Sequence, residues 1–160
     1  MKKITITQIS EKKIKAGNPL LQMEDFPNEL SFDEGELVEL VDSRQKFVAK
    51  AYLAKQNKGV GWVFSLDNAD SFNEAFFKKQ FEKAKRKRTD LQSDPETTTY
   101  RLFNAEGDGI PGVTIDHYDG FAVVSWYSEG IFRYQTAIIA AFQAVFPETK
   151  GIYEKFRYQR

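Results

Sequence analysis

The feature that most constrains this chain is a change of hydrophobic period near residue 70. Before it, apolar residues alternate. Residues 46–53 place Phe47, Ala49, Ala51 and Leu53 on one side, the two-residue repeat of a half-buried strand. Comparable short runs occupy residues 3–9, with Ile4, Ile6 and Ile9 apolar, residues 36–41 after Gly35, and residues 59–64. Gly17-Asn18-Pro19 marks a turn, because glycine and proline together break regular structure. After the change, Phe72, Phe76, Phe77, Phe81 and Ala84 recur at helical spacing. Ser71-Phe72-Asn73-Glu74 has the form of a capping box, so a helix is expected from residue 71 to about residue 91.

The remainder is mixed. Residues 98–103 read as a strand, 107–112 as a loop, and 113–116 and 121–127 as strands joined across Tyr118-Asp119-Gly120. Ile131, Tyr134, Ile138, Phe142 and Val145 form one helical stripe over residues 131–146, ended by Pro147, and residues 151–156 read as a final strand. Residues 92–97 read as a turn. The expected class is α+β: a small β-barrel in residues 1–70, then a linker helix and a mixed α/β unit of strands plus two helices in residues 71–160.

Several chemistries are excluded or disfavoured. The chain has no cysteine, which removes disulfides, thiolate metal sites and any thiol nucleophile. No stretch reaches the roughly 20 apolar residues of a membrane span. The start, Met1-Lys2-Lys3-Ile4-Thr5-Ile6-Thr7, is too polar for a signal peptide; a cytoplasmic location is expected. Gly107-Asp108-Gly109-Ile110-Pro111-Gly112 matches G-x-G-x-x-G. A dinucleotide fingerprint needs a helix to open inside that motif. Here the β-branched run Val113-Thr114-Ile115 follows and Pro111 removes an amide, so a tight connection is expected. A nucleotide-binding enzyme would require a helix at Val113. His117 is the single histidine; in a strand its neighbour Asp116 points the other way. No catalytic residue and no metal site is expected.

The formal net charge is zero, but the charge is divided. From Glu24 to Asp42 there are eight acidic residues and no lysine or arginine; from Lys78 to Arg88 there are seven basic residues against Glu82 alone. A neutral molecule so divided can still present a basic face to phosphates. The densest part is Lys83, Lys85, Arg86, Lys87 and Arg88. Lys12, Lys13, Lys15 and Lys55 add basic groups in the β part, where Tyr52 and Trp62 are interleaved. Such aromatics serve either as stacking platforms or as core.

The run from Tyr100 to Tyr118 resembles a segment of the S-adenosylmethionine-dependent large-subunit rRNA 5-methylcytosine methyltransferases. Arg101, Leu102, Glu106, Asp108, Pro111, Gly112, Asp116 and Tyr118 fit the family pattern. So do Ser128-x-Gly130, the following helix, and Ile152-Tyr153-Glu154. His117 stands where the family usually has arginine.

The resemblance implies a PUA-like RNA-binding barrel in residues 1–70 and a middle domain in residues 71–160. It also implies a Rossmann-like catalytic domain, outside this chain, that binds S-adenosylmethionine. On that reading residues 1–160 bind no cofactor themselves and are inactive alone. Their partners are rRNA and the parent's own C-terminal methyltransferase domain, with no membrane, and homodimers are compatible with it. The basic residues named above would hold RNA. Arg101, Asp108, Gly109, Pro111 and Gly112 would brace an interdomain contact. The alternative is a stand-alone PUA-type RNA-binding or assembly module without enzymatic activity.

Overall fold

The computed structural model describes residues 1–56 and 58–159. The chain opens with β1 (Lys2–Thr5), α1 (Gln8–Lys15), β2 (Leu20–Leu21) and a 3-10 turn at Met23–Asp25. Then come β3 (Leu37–Val41), β4 (Phe47–Gln56) and β5 (Gly59–Ser65). These strands form one mixed sheet in the order β1-β3-β4-β5-β2, with β1 parallel to β3 and the other pairs antiparallel. A core of Ile6, Ile14, Leu21, Phe26, Val38, Leu40, Val48, Ala49, Ala51, Leu53 and Val63 lies against it.

The strand expected over residues 3–9 ends at Thr5, and helix α1 begins at Gln8, taking the end of that run. Thr7 caps it, its hydroxyl accepting from the Ser10 amide at 3.1 Å. Ile6, Ser10 and Ile14 are buried at four-residue spacing while Ile9 is exposed, which is the signature of one helical face. Three isoleucines within six residues satisfy both periods, and the cap decides.

The second half begins with α2 (Glu74–Lys87) and the short α3 (Thr89–Ser93), followed by β6 (Thr99–Asn104) and a 3-10 turn at Ala105–Asp108. After β7 (Val113–Tyr118) and β8 (Phe121–Trp126) come α4 (Glu129–Phe132), α5 (Gln135–Val145) and β9 (Gly151–Phe156). The true cap of α2 is Asn73, which accepts from the Phe76 amide at 3.0 Å. The single helix expected over residues 131–146 is two: α4, which Ser128 caps by accepting from Ile131 N at 3.2 Å, and α5, with a break at Arg133 and Tyr134. The four strands form a sheet ordered β6-β7-β8-β9, with β9 parallel to β8. Helices α2 and α5 pack on each other and on one face of this sheet.

The larger core does not stop at residue 70. It gathers Phe72, Phe76, Phe77, Phe81, Phe103, Ile115, Trp126, Ile138 and Phe142 together with Tyr52, Ala54 and Phe64 of the first sheet. Two hydrogen bonds also cross between the halves: Tyr52 Oη donates to Pro111 O at 2.6 Å and Tyr134 Oη to Gly35 O at 2.5 Å. Burial pushes the Tyr52 phenol well above its ordinary value, so it remains a donor.

The expected fold class, a small barrel followed by a mixed unit with two helices, is therefore corrected. Among the described residues the first sheet's edge strands β1 and β2 are not paired with each other. The parallel β1 pairs with β3 alone, and a helix, α1, stands within the first half. Among the described residues the second half carries four α-helices, not two. The whole is mixed sheets with helices interspersed.

Gly112 fixes how closely the halves approach. Its φ is +93°, and a Cβ there would lie 2.5 Å from Tyr52 Oη. Gly112→Ala should cost roughly 2–3 kcal/mol, from left-handed strain and the displaced phenol bond. Tyr52→Phe, which loses only the bond, should cost about 1 kcal/mol. Urea midpoints measure both; equal losses in the two variants would refute the steric part of the argument.

Candidate nucleic-acid interface

The basic end of α2 is divided by what each side chain meets. Phe76, Phe77, Gln80, Phe81 and Ala84 are buried, so the basic positions between and beyond them lie toward the surface. Lys83 and Arg86 are exposed. Lys85 turns back, its Nζ donating to Val145 O at 2.9 Å and lying 5.3 Å from the Phe146 ring centroid. Lys87 Nζ is 2.8 Å from Asp108 Oδ1, although its side chain stays 59% exposed. Arg88 is the most committed: Nη2 meets Asp108 Oδ2 at 2.7 Å, and Nε donates to Arg101 O at 2.9 Å.

Asp108 anchors this end. Its carboxylate is nearly enclosed and also accepts from the Asn104 amide at 2.7 Å. Burial alone would raise its pKa; Arg88, Lys87 and the Asn104 amide outweigh burial and hold it below the usual carboxylate range. The other loop residues also have partners within the chain. Arg101 forks onto Asp116, with Nε to Oδ1 at 2.7 Å and Nη2 to Oδ2 at 3.3 Å. Pro111 O takes the Tyr52 phenol, Gly112 lies under Tyr52 Oη, and a Cβ at Gly109 would sit 2.6 Å from Gln80 Oε1.

This loop does not fit S-adenosylmethionine. It leads into β7 and not into a helix, and Gln80 and Tyr52 already pack against its glycines. His117 is similarly occupied: Nε2 accepts from Gly120 N at 3.1 Å, leaving Nδ1 to donate to Thr98 O at 3.2 Å, and its ring stacks on Tyr100. It locks the β7–β8 turn.

The lysines of the first half lie elsewhere. Lys12 is exposed on α1. Lys13 is held by Asp25 Oδ2 at 2.8 Å and Leu20 O at 3.1 Å, and Lys15 pairs with Glu11 at 2.7 Å. Lys55 lines a cleft of about 1210 Å³ between the two halves, whose walls include Trp62, Thr114, Tyr127 and Arg157. Tyr52 is fully buried. Trp62 is half-buried on the cleft wall, its Nε1 donating to Gln56 Oε1 at 2.9 Å. Reading the sequence alone missed this cleft, because it depends on how the sheets meet. Among the described residues no helix is long and apolar enough to cross a membrane, and no group of three or more acidic or histidine side chains is placed to hold a metal.

Comparison with known proteins follows the same lines. Residues 4–66 match the PUA-like domain family. The chain is 40% identical over 160 residues to YwbD of Bacillus subtilis, a candidate ribosomal RNA large subunit methyltransferase, covering 99% of this chain and 40% of that protein. It is 33% identical over 121 residues to ribosomal RNA large subunit methyltransferase I of Cronobacter sakazakii, covering 76% of this chain and 30% of that one. The chain thus spans well under half the length of these relatives. A solved candidate SAM-dependent methyltransferase from Streptococcus mutans overlays it with a TM-score of 0.92 at 43% identity, covering 98% of this chain and 41% of that one. That overlay completes the correction of fold class: from end to end the chain takes the mixed-sheet fold found within a methyltransferase chain, not a free barrel followed by a simple two-helix unit. Along nearly its whole length the chain therefore resembles part of the large-subunit ribosomal RNA methyltransferases, with a PUA-like domain at residues 4–66.

Proposed function

We propose that residues 1–160 hold ribosomal RNA for a SAM-dependent methyl transfer whose cofactor is bound by other parts of the parent enzyme. The observation that carries this reading is the exposed basic surface of α2, with Lys83, Arg86 and the half-committed Lys87, on a chain whose relatives are named for acting on ribosomal RNA. Lys12 and Lys55 are its secondary contacts. Residues 1–70 act as the PUA-type RNA-binding unit and residues 71–160 as the middle unit. A glycine loop packed against Gln80 and Tyr52 and the absence of cysteine agree with cofactor and nucleophile lying elsewhere. Addition at a pyrimidine C6 before methylation at C5 needs a nucleophile, ordinarily a thiolate.

The experiment is RNA binding as a function of salt. Lys83→Ala combined with Arg86→Ala should weaken binding of rRNA fragments and lower the slope of log affinity against log salt by roughly one to two. Lys85 and Arg88 are left intact because their replacement would disturb the fold. An unchanged slope would remove α2 from the interface.

A further inference from the structure

The sheet β6-β7-β8-β9 has helices on one face only. Along β7, Val113 and Ile115 point to the helices, and along β8 so do Ala122, Val124 and Trp126. Alternation then sends Asp116, Tyr118, Phe121, Val123, Tyr153 and Lys155 to the other face. The register agrees: Tyr118 lies opposite Phe121 and Val123 opposite Tyr153. Phe121 and Tyr153 have ring centroids 6.0 Å apart. Tyr127, just beyond β8, has the same parity and continues this face into the cleft. Among the described residues Tyr118, Tyr127 and Tyr153 are the exposed tyrosines, at 47%, 40% and 62%. All three therefore share one face.

Rings spread along one face, from the Tyr118 end of the sheet to Tyr127 at the cleft, ask for an extended occupant. Exposed rings on an open four-stranded sheet are the arrangement on which single-stranded RNA bases stack. Lys150, Lys155 and Arg157 are exposed at its margins, placed for phosphates. The acid in its middle, Asp116, is neutralised by the Arg101 fork; Asp119 lies in the adjoining turn, and Glu106 and Glu129 on the cleft wall. Where the face enters the cleft, Thr114 is 5% exposed and its Oγ1 has no hydrogen-bond partner.

We infer that the open face of the β6–β9 sheet is a stacking platform for unpaired RNA, with Tyr118, Tyr153 and Tyr127 as its rings and the Thr114 end of the cleft as its terminus. This rests on the RNA-holding reading above and adds that the bound segment is single-stranded.

The test uses fluorescence anisotropy with a ten-nucleotide uridine-rich single strand and a duplex of equal length. Tyr118→Ala and Tyr153→Ala should each weaken single-strand binding about five-fold or more, Tyr→Phe at the same positions should restore it, and duplex binding should stay unchanged. Circular dichroism verifies folding. Independently, 4-thiouridine crosslinking to the unaltered chain should land on peptides containing Tyr118, Tyr127 or Tyr153. Unchanged single-strand affinity in the folded alanine variants, or crosslinks confined to α2, would overturn the platform and leave the basic interface standing. No RNA binding by the unaltered chain would overturn the underlying reading and the platform with it.

Discussion

Phe72→Ala should lower the stability of the whole chain by about 3–5 kcal/mol, the cost of emptying a large aromatic site in a packed core, and should do so in one cooperative transition. Phe72 is 5% exposed and sits between the two halves. Its ring stacks on Tyr52 at 5.3 Å, lies 4.4 Å from Phe64, and meets Phe77 and Tyr134 edge-on at 4.7 and 4.8 Å. Two of those partners belong to the first sheet, Phe77 to α2, and Tyr134 to the N-terminal edge of α5. Truncation therefore removes contacts on both sides at once, and neither side can collapse into the space alone. Phe72→Leu, which keeps most of the volume, should cost well under half as much. Differential scanning calorimetry reads the effect as a loss of roughly 10 °C in the midpoint. Two resolved transitions in the unaltered chain, with only one shifted by Phe72→Ala, would show that the halves fold separately and that the shared core is not cooperative.

The same residue shows how far the sequence could be read. The periodicity that located a helix after residue 70 arises because Phe76, Phe77, Phe81 and Ala84 all face one core. That helix, the strands β3 to β9 and the tight turn at Asp119-Gly120 were legible, since each is written in local alternation or turn chemistry. Helix α1 was not, because Ile4, Ile6 and Ile9 fit a strand as well as a helix, and only the Thr7 cap and the burial of Ser10 separate them. The basic run was visible as composition. Its division was invisible, since which partners Lys85 and Lys87 meet depends on where Val145 and Asp108 arrive from far along the chain. The tyrosine face was equally hidden. Tyr118, Tyr127 and Tyr153 are scattered in sequence, and only the pairing of β7, β8 and β9 puts them on one side of a sheet.

Replacing Asp108 separates the structural cations from the RNA-binding ones. Its carboxylate side chain is 2% exposed and holds Arg88 and Lys87. Removing one partner of an enclosed pair strands the other charge, so Asp108→Ala should cost about 3 kcal/mol. Most of that comes through Arg88, 15% exposed, and little through Lys87, whose 59% exposure lets water screen it. The loss should depend on pH in a definite sense. The carboxyl is held below its ordinary value in the folded chain, so its contribution is complete above the unfolded value near 4 and fades as pH falls through the folded one. The stability gap between the unaltered chain and Asp108→Asn should therefore be widest at neutral pH and shrink steadily on acidification below about pH 4. A gap that stays constant down to pH 3 would mean that Asp108 acts by shape and not by charge. RNA affinity should move the other way from stability: with the carboxylate gone, Lys87 is freed toward phosphates, so Asp108→Asn at neutral pH should bind RNA no more weakly than the unaltered chain. A parallel fall in stability and affinity would place Asp108 in the interface itself.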